Sequence, residues 1–177
     1  MSSLLMIYSS TDGHTKFICE KIISSFQNIK KTKLVSLNEA MTLNLSSFSK
    51  IVIGASIRYG KHSKDLYNFI NLNKEILIQK KSIFFSVNVV ARKVEKSTPE
   101  TNPYIKKFYK ISTWKPHRVE VFAGKVNYPA YGFFDKYIIK FIMFITKGPT
   151  DTSQSYDFTD WSKVDNFAKD LDVNYEN

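Results

Sequence analysis

The sequence predicts an α/β fold: a doubly wound, five-stranded parallel sheet carrying an amphipathic insertion after its fifth strand. Three observations lead there. Short apolar runs alternate with segments of helical periodicity, the pattern of strands joined by crossover helices. The chain of 177 residues has the size of one ordinary domain, and 43% hydrophobic residues with 15% aromatics can build its core. Finally, the stretch from Lys125 to Thr150 is longer than a link between the last strand and the closing helix needs.

Taken in order, Leu4 to Tyr8 reads as a first buried strand. Ile18, Cys19, Ile22, Ile23, Phe26 and Ile29 then recur at 3.6-residue spacing and predict the first helix. Lys33 to Leu37 suits a second strand, Ile51 to Ala55 a third, and Ser82 to Val87 a fourth. Between the last two, Leu66, Phe69, Ile70 and Leu77 mark a helix. Asn102 before Pro103 is a cap and first-turn pair opening a helix to about Ile111. Arg118 to Ala123 supplies the fifth strand, and Trp161, Val164, Phe167, Ala168 and Leu171 the closing helix. The whole chain, 1–177, reads as a single domain of flavodoxin type, whose ligands gather at the carboxyl ends of the strands.

The insertion, about 125–150, has its own pattern. Phe134, Ile138, Phe141, Ile142 and Ile145 share one helical face, with Lys136 and Lys140 on another and Tyr128, Tyr131 and Tyr137 around them. Apolar side chains below the headgroups and cations meeting anionic lipid are what an interfacial helix requires; the alternative is a helix packed on its own domain. Charge favours the membrane surface. Residues 92–147 carry 12 basic and 4 acidic side chains, whereas 148–177 carry 2 and 7.

The net charge is +10, from 26 basic and 16 acidic residues; 23 of the basic ones are Lys, leaving Arg58, Arg92 and Arg118 as the arginines. A nucleic-acid groove would need those lysines interleaved with stacking aromatics, but the aromatic cluster sits among aliphatic residues at helical spacing, so no nucleic-acid partner is expected. A single cysteine, Cys19, excludes an internal disulfide and a four-cysteine metal site. His14, His62 and His117 lie in different segments without ligand spacing, so no metal is expected. The N-terminal apolar run ends after five residues without a basic lead, which points to the cytoplasm.

Three loops gather at the predicted ligand edge. Ser10, Thr11, Asp12, Gly13, His14 and Thr15 join the first strand to the first helix, where hydroxyls and free helix N–H groups suit a phosphate. Ser56, Ile57, Arg58, Tyr59 and Gly60 follow strand three; Ser86, Val87, Asn88 and Val89 lead to Arg92 and Lys93 after strand four. Tyr and Ile faces there could flank a flat ring, and Arg58 and Arg92 could each fork onto a carboxylate.

The stretches 51–60, 86–93, 98–102 and 150–152 resemble the bacterial menaquinone-dependent protoporphyrinogen oxidases, the flavodoxin-like family. The resemblance covers nearly the whole chain and includes the insertion. It implies an FMN enzyme of haem biosynthesis that removes six electrons and six protons from protoporphyrinogen IX. The electrons would pass to menaquinone or ubiquinone at the cytoplasmic side of the inner membrane, where the protein is peripheral. It further implies that Ser10 to Thr15 hold the FMN phosphate, while the next two loops and Thr150, Asp151 and Thr152 surround the ring. Arg58, Arg92 and Lys93 are the expected partners of the substrate propionates. Arg58→Ala is accordingly expected to raise KM with FMN retained. The alternatives are a flavodoxin-like quinone reductase or an electron carrier, although carriers usually dock through acidic faces. One departure is Asp12, where ordinary flavodoxins have Thr; the expectation is that it turns outward or caps its own loop, and weakens FMN binding.

Overall fold

The computed structural model describes residues 3–26 and 31–173. Five parallel strands, β1 (Leu4–Ser9), β2 (Thr32–Ser36), β3 (Lys50–Ser56), β4 (Ile83–Asn88) and β5 (Arg118–Ala123), form one sheet in the order β2-β1-β3-β4-β5. The chain leaves β1 for one edge and returns to add β3 on its other side. The order therefore reverses beside β1, and the loops after β1 and β3 splay apart into a crevice.

Alternation along the strands explains how both faces are covered. Leu5 and Ile7 of β1 with Ile51 and Ile53 of β3 face α3 (Lys64–Gln79) and α4 (Pro103–Ile111), meeting Leu66, Phe69, Ile70, Ile105 and Phe108. Leu4, Met6 and Val52 face the other way, against α1 (His14–Ser24) and α6 (Trp161–Val173). Cys19 is fully buried in that second layer, as its helical spacing predicts, and burial pushes its thiol pKa far up, so it behaves as a small apolar side chain. Gly54 is required by packing: a Cβ there would stand 2.2 Å from Cζ of Phe85, its register partner on β4.

Several boundaries differ from the reading of the sequence. Strand two was expected to include Leu37, but it stops at Ser36, whose hydroxyl accepts from Glu39 N while the Glu39 carboxylate accepts from Ser36 N. That reciprocal cap starts a short helix, α2 (Leu37–Ala40), and buries Leu37. The first helix closes at Ser24, and Ile29 lies outside the described residues. The cap at Asn102 is as expected, its Oδ1 accepting from Tyr104 N.

The insertion is more built than a helix alone. Two three-residue strands, β6 (Lys125–Asn127) and β7 (Ser155–Asp157), pair antiparallel and bracket helix α5 (Phe133–Ile145). Val126, Tyr128 and Met143 form a small core beneath it, joined by Ile139, Tyr131 and Tyr156. The rest of α5 stays uncovered: Phe134 is 78% exposed and Phe141 64%, and Ile138 and Ile145 are also exposed. The uncovered set is wider than the face read from the sequence, since Phe133, Tyr137 and Phe144 join it. Ile142 turns partly inward, and Lys136 and Lys140 are half-buried.

Candidate functional site

Two connected clefts occupy the carboxyl edge of the sheet. The first, about 390 Å³, lies between the loops after β1, β3 and β4 and takes in Ser10, Thr11, Asp12, His14, Thr15, Ser56, Ile57, Arg58, Val87, Asn88 and Val89. The second, about 640 Å³, continues from it beneath α5, bordered by Tyr59, Gly60 and Arg92. The two share Asp12, Ile57, Arg58, Val89 and Lys125, so they form one continuous surface.

The loop after β1 is arranged for an anion. Gly13 caps α1 at φ 81°, a left-handed conformation suited to glycine, and no side chain bonds the first-turn N–H groups. No acidic side chain occupies that first turn. Ser10 Oγ and Thr15 Oγ1 are both buried without a hydrogen-bond partner. Buried hydroxyls are ordinarily bonded, so two orphans beside free helix N–H groups are donors that could hold an acceptor-rich ligand. His14 lies at the mouth: because the Thr159 hydroxyl donates to Ala123 O, Nε2–H of His14 is the donor in their 2.7 Å contact. Burial lowers the His14 pKa, against the opposing pull of Asp157.

The loop after β3 turns tightly. Arg58 and Lys61 exchange backbone hydrogen bonds at 3.0 and 3.2 Å around Tyr59 and Gly60, both at positive φ (48° and 75°), as in a type I′ turn. This lifts Tyr59 out of the sheet edge, and its hydroxyl donates to Asp135 Oδ1. Arg58 Nη1 donates to Asp12 Oδ2 at 2.8 Å, and its Nη2 to Asp135 Oδ2 at 2.6 Å. Burial alone would lower the Arg58 pKa, but Asp12, Tyr59 and Asp135 outweigh it and raise the value. Asp12 is thus bonded across the cleft to Arg58, which corrects the expectation that it would turn outward or cap its own loop.

After β4, Asn88 caps a 3-10 turn (Val89–Arg92) by accepting from Ala91 N. Arg92 was read as a fork for a ligand carboxylate. Here its guanidinium donates instead to Val89 O, Thr146 O and Thr146 Oγ1, pinning the end of α5 to this turn. Burial lowers its pKa. Ser86 sits behind the site, bonded to His62 and Asn88, and Lys93 borders neither cleft. Thr150, Asp151 and Thr152 are also outside both; Asp151 instead accepts from Ser153 and Gln154 within its own turn. Conversely, Tyr104, Gly124, Lys125, Val126, Ile139, Met143 and Thr146 line the clefts without having been singled out, and Tyr131, read with the insertion's outer face, lines the larger one too. For those within 125–150 only the insertion's length gave a hint, and Tyr104 and Gly124 had none. Among the described residues no group of three His, Cys, Asp or Glu side chains could hold a metal ion.

A flavodoxin-domain family model matches residues 5–153. The chain is 42% identical over 169 residues to the protoporphyrinogen IX dehydrogenase [quinone] of Leishmania major, covering 94% of this chain and 73% of that one. It is 37% identical to the protein of the same name from Escherichia coli K12, covering 94% and 93%. The chain belongs to the protoporphyrinogen IX dehydrogenase [quinone] family. Among solved structures, rubredoxin oxygen:oxidoreductase from Desulfovibrio gigas matches 99% of this chain and 36% of its own, with a TM-score of 0.51 at 10% identity, a likeness of fold. In this family member the flavodoxin-type sheet places the β1 loop at the switch point, and the segment bracketed by β6 and β7 roofs the adjoining cleft.

Proposed function

We propose that this protein binds FMN at the carboxyl edge of its sheet and oxidises protoporphyrinogen IX to protoporphyrin IX, passing the electrons to menaquinone or ubiquinone. The observation that carries the reading is the pair of buried, unpartnered hydroxyls, Ser10 Oγ and Thr15 Oγ1, beside the unbonded first turn of α1. Those donors match a phosphate ester. Ile57, Tyr59 and Val89 border the part of the cleft left for a flat ring. When bound, FMN supplies two-electron redox chemistry, and three rounds account for six electrons and six protons, with three quinones reduced to quinols.

The protein's own residues hold and orient. The cleft beneath α5 combines Val90, Ile139, Ile142 and Met143 with Arg58 and Arg92, apolar walls with cations at the rim, which suits a tetrapyrrole bearing propionates. Arg58 and Arg92 are the cations proposed for those carboxylates, with Lys93 following Arg92 outside the cleft; Arg92 would exchange its Thr146 partner to reach them, while Arg58 keeps Asp12. The uncovered aromatic face of α5 is proposed to rest in the headgroup layer of the inner membrane's cytoplasmic side, with Lys136 and Lys140 near anionic lipid. No described helix is long and apolar enough to cross a membrane. Both substrates dissolve in that layer, so attachment would bring the cleft to their supply.

An absorbance spectrum of the purified protein, followed by anaerobic addition of protoporphyrinogen IX with and without quinone, tests the proposal. A flavin band that bleaches with substrate and returns with quinone, as porphyrin fluorescence grows, is the expected result. Bound flavin untouched by porphyrinogen would instead support an electron carrier or a quinone reductase.

A further inference from the structure

Asp12 presents an electrostatic problem. It stands between Thr11 and Gly13 in the anion loop and lines the same cleft as Ser10 and Thr15. A carboxylate close to a phosphate repels it, the more strongly where water is partly excluded. Thr15 is 1% exposed, so part of this site is well withdrawn from solvent.

The structure supplies the countercharge from another loop. Arg58 Nη1 reaches Asp12 Oδ2 at 2.8 Å, with the two side chains 20% and 38% exposed. The guanidinium is confined on its remaining sides: Nη2 is held by Asp135, and the rings of Tyr59 and Tyr131 lie 5.0 and 5.3 Å from its central carbon. A cation so fixed, though shared with Asp135, offsets the charge of Asp12 without needing ligand to order it.

We propose that Arg58 is a positioning residue for the flavin phosphate: by offsetting the charge of Asp12 it lets the loop present donors to a dianion against a weaker opposing charge. This rests on the FMN reading of the cleft. It also changes two expectations drawn from the sequence, since Asp12 would then weaken FMN binding only when Arg58 is removed, and Arg58→Ala would not leave flavin binding intact. The effect belongs to the phosphate and not to the ring, so a flavin lacking phosphate reports its absence.

The test is titration of flavin-free protein with FMN and with riboflavin, read by flavin fluorescence. Arg58→Ala is expected to weaken FMN by about tenfold or more while riboflavin changes by less than about twofold. Adding Asp12→Asn to Arg58→Ala recovers most of the loss, Arg58→Lys retains most of the affinity, and Asp12→Asn alone does not weaken FMN. Equal losses for both flavins, no recovery in the double variant, or weakening by Asp12→Asn alone would overturn the proposal. Wild-type protein that binds riboflavin but gains nothing from the phosphate also overturns it, whereas wild-type protein that binds neither flavin removes the FMN reading and this proposal together.

Discussion

Arg58 and Asp135 lie 77 positions apart, yet Nη2 of one donates to Oδ2 of the other at 2.6 Å, tying the turn after β3 to the first turn of α5. Tyr59 adds its hydroxyl to the same carboxylate. The far end of α5 is held by Arg92, through Thr146. The helix over the larger cleft is thus fastened at both ends by arginines from the two loops that border the site, while its middle rests on Met143 and Ile139.

Asp135→Asn should loosen only the first of those fastenings. Amide exchange in the first turns of α5 is expected to rise by about two- to fivefold, the scale of a partly exposed ion pair, with the parallel sheet unaffected. Unchanged exchange in α5 would show that Asp135 does not hold the helix.

Membrane attachment through α5 predicts flotation with vesicles. Replacing Phe134 and Phe141 by Ser should sharply reduce binding to anionic vesicles, because each large apolar side chain withdrawn from water contributes roughly 1.5–3 kcal/mol. The fold should survive, since both side chains are uncovered. Retained flotation in the double variant would rule out this face as the contact.

His62 is buried beneath the site, bonded to Ser86 Oγ at 3.0 Å, and burial, aided by Lys107, lowers its pKa to about 4. The unfolded chain, with an ordinary histidine pKa near 6.5, binds the proton more readily than the fold does between those values. Stability contributed by keeping this ring neutral is therefore complete above about pH 6.5 and is lost as pH falls toward 4, on the order of 3 kcal/mol across the window. Urea midpoints measured from pH 7 to 4 should fall more steeply for the wild type than for His62→Gln. Parallel curves would refute the assignment.

Much of this architecture was legible in local pattern. Strand runs such as Leu4 to Tyr8 and Ile51 to Ala55 name their own class because a parallel sheet buries both faces. Asn102 with Pro103 announced a helix start because capping is settled within a few residues. The Ser36 to Glu39 cap was equally local and marks the strand end that apolar content alone obscured. The paired strands β6 and β7 left no such signal: each has three residues, and their partners lie about 30 positions apart.

The sequence by itself determined the parallel α/β class, the hydroxyl-rich loop after β1 and the apolar character of α5, since periodicity, capping and hydroxyl-rich turns are properties of neighbouring residues. Only the tertiary structure decided which charges meet. Asp12 with Arg58, Arg58 with Asp135 and Arg92 with Thr146 are contacts between distant segments, and a side chain's partner depends on where the sheet's crossovers bring its loop. For the same reason Arg92, by type a ligand fork, became a fastening for the insertion, and Tyr104 and Val126 entered the clefts unannounced.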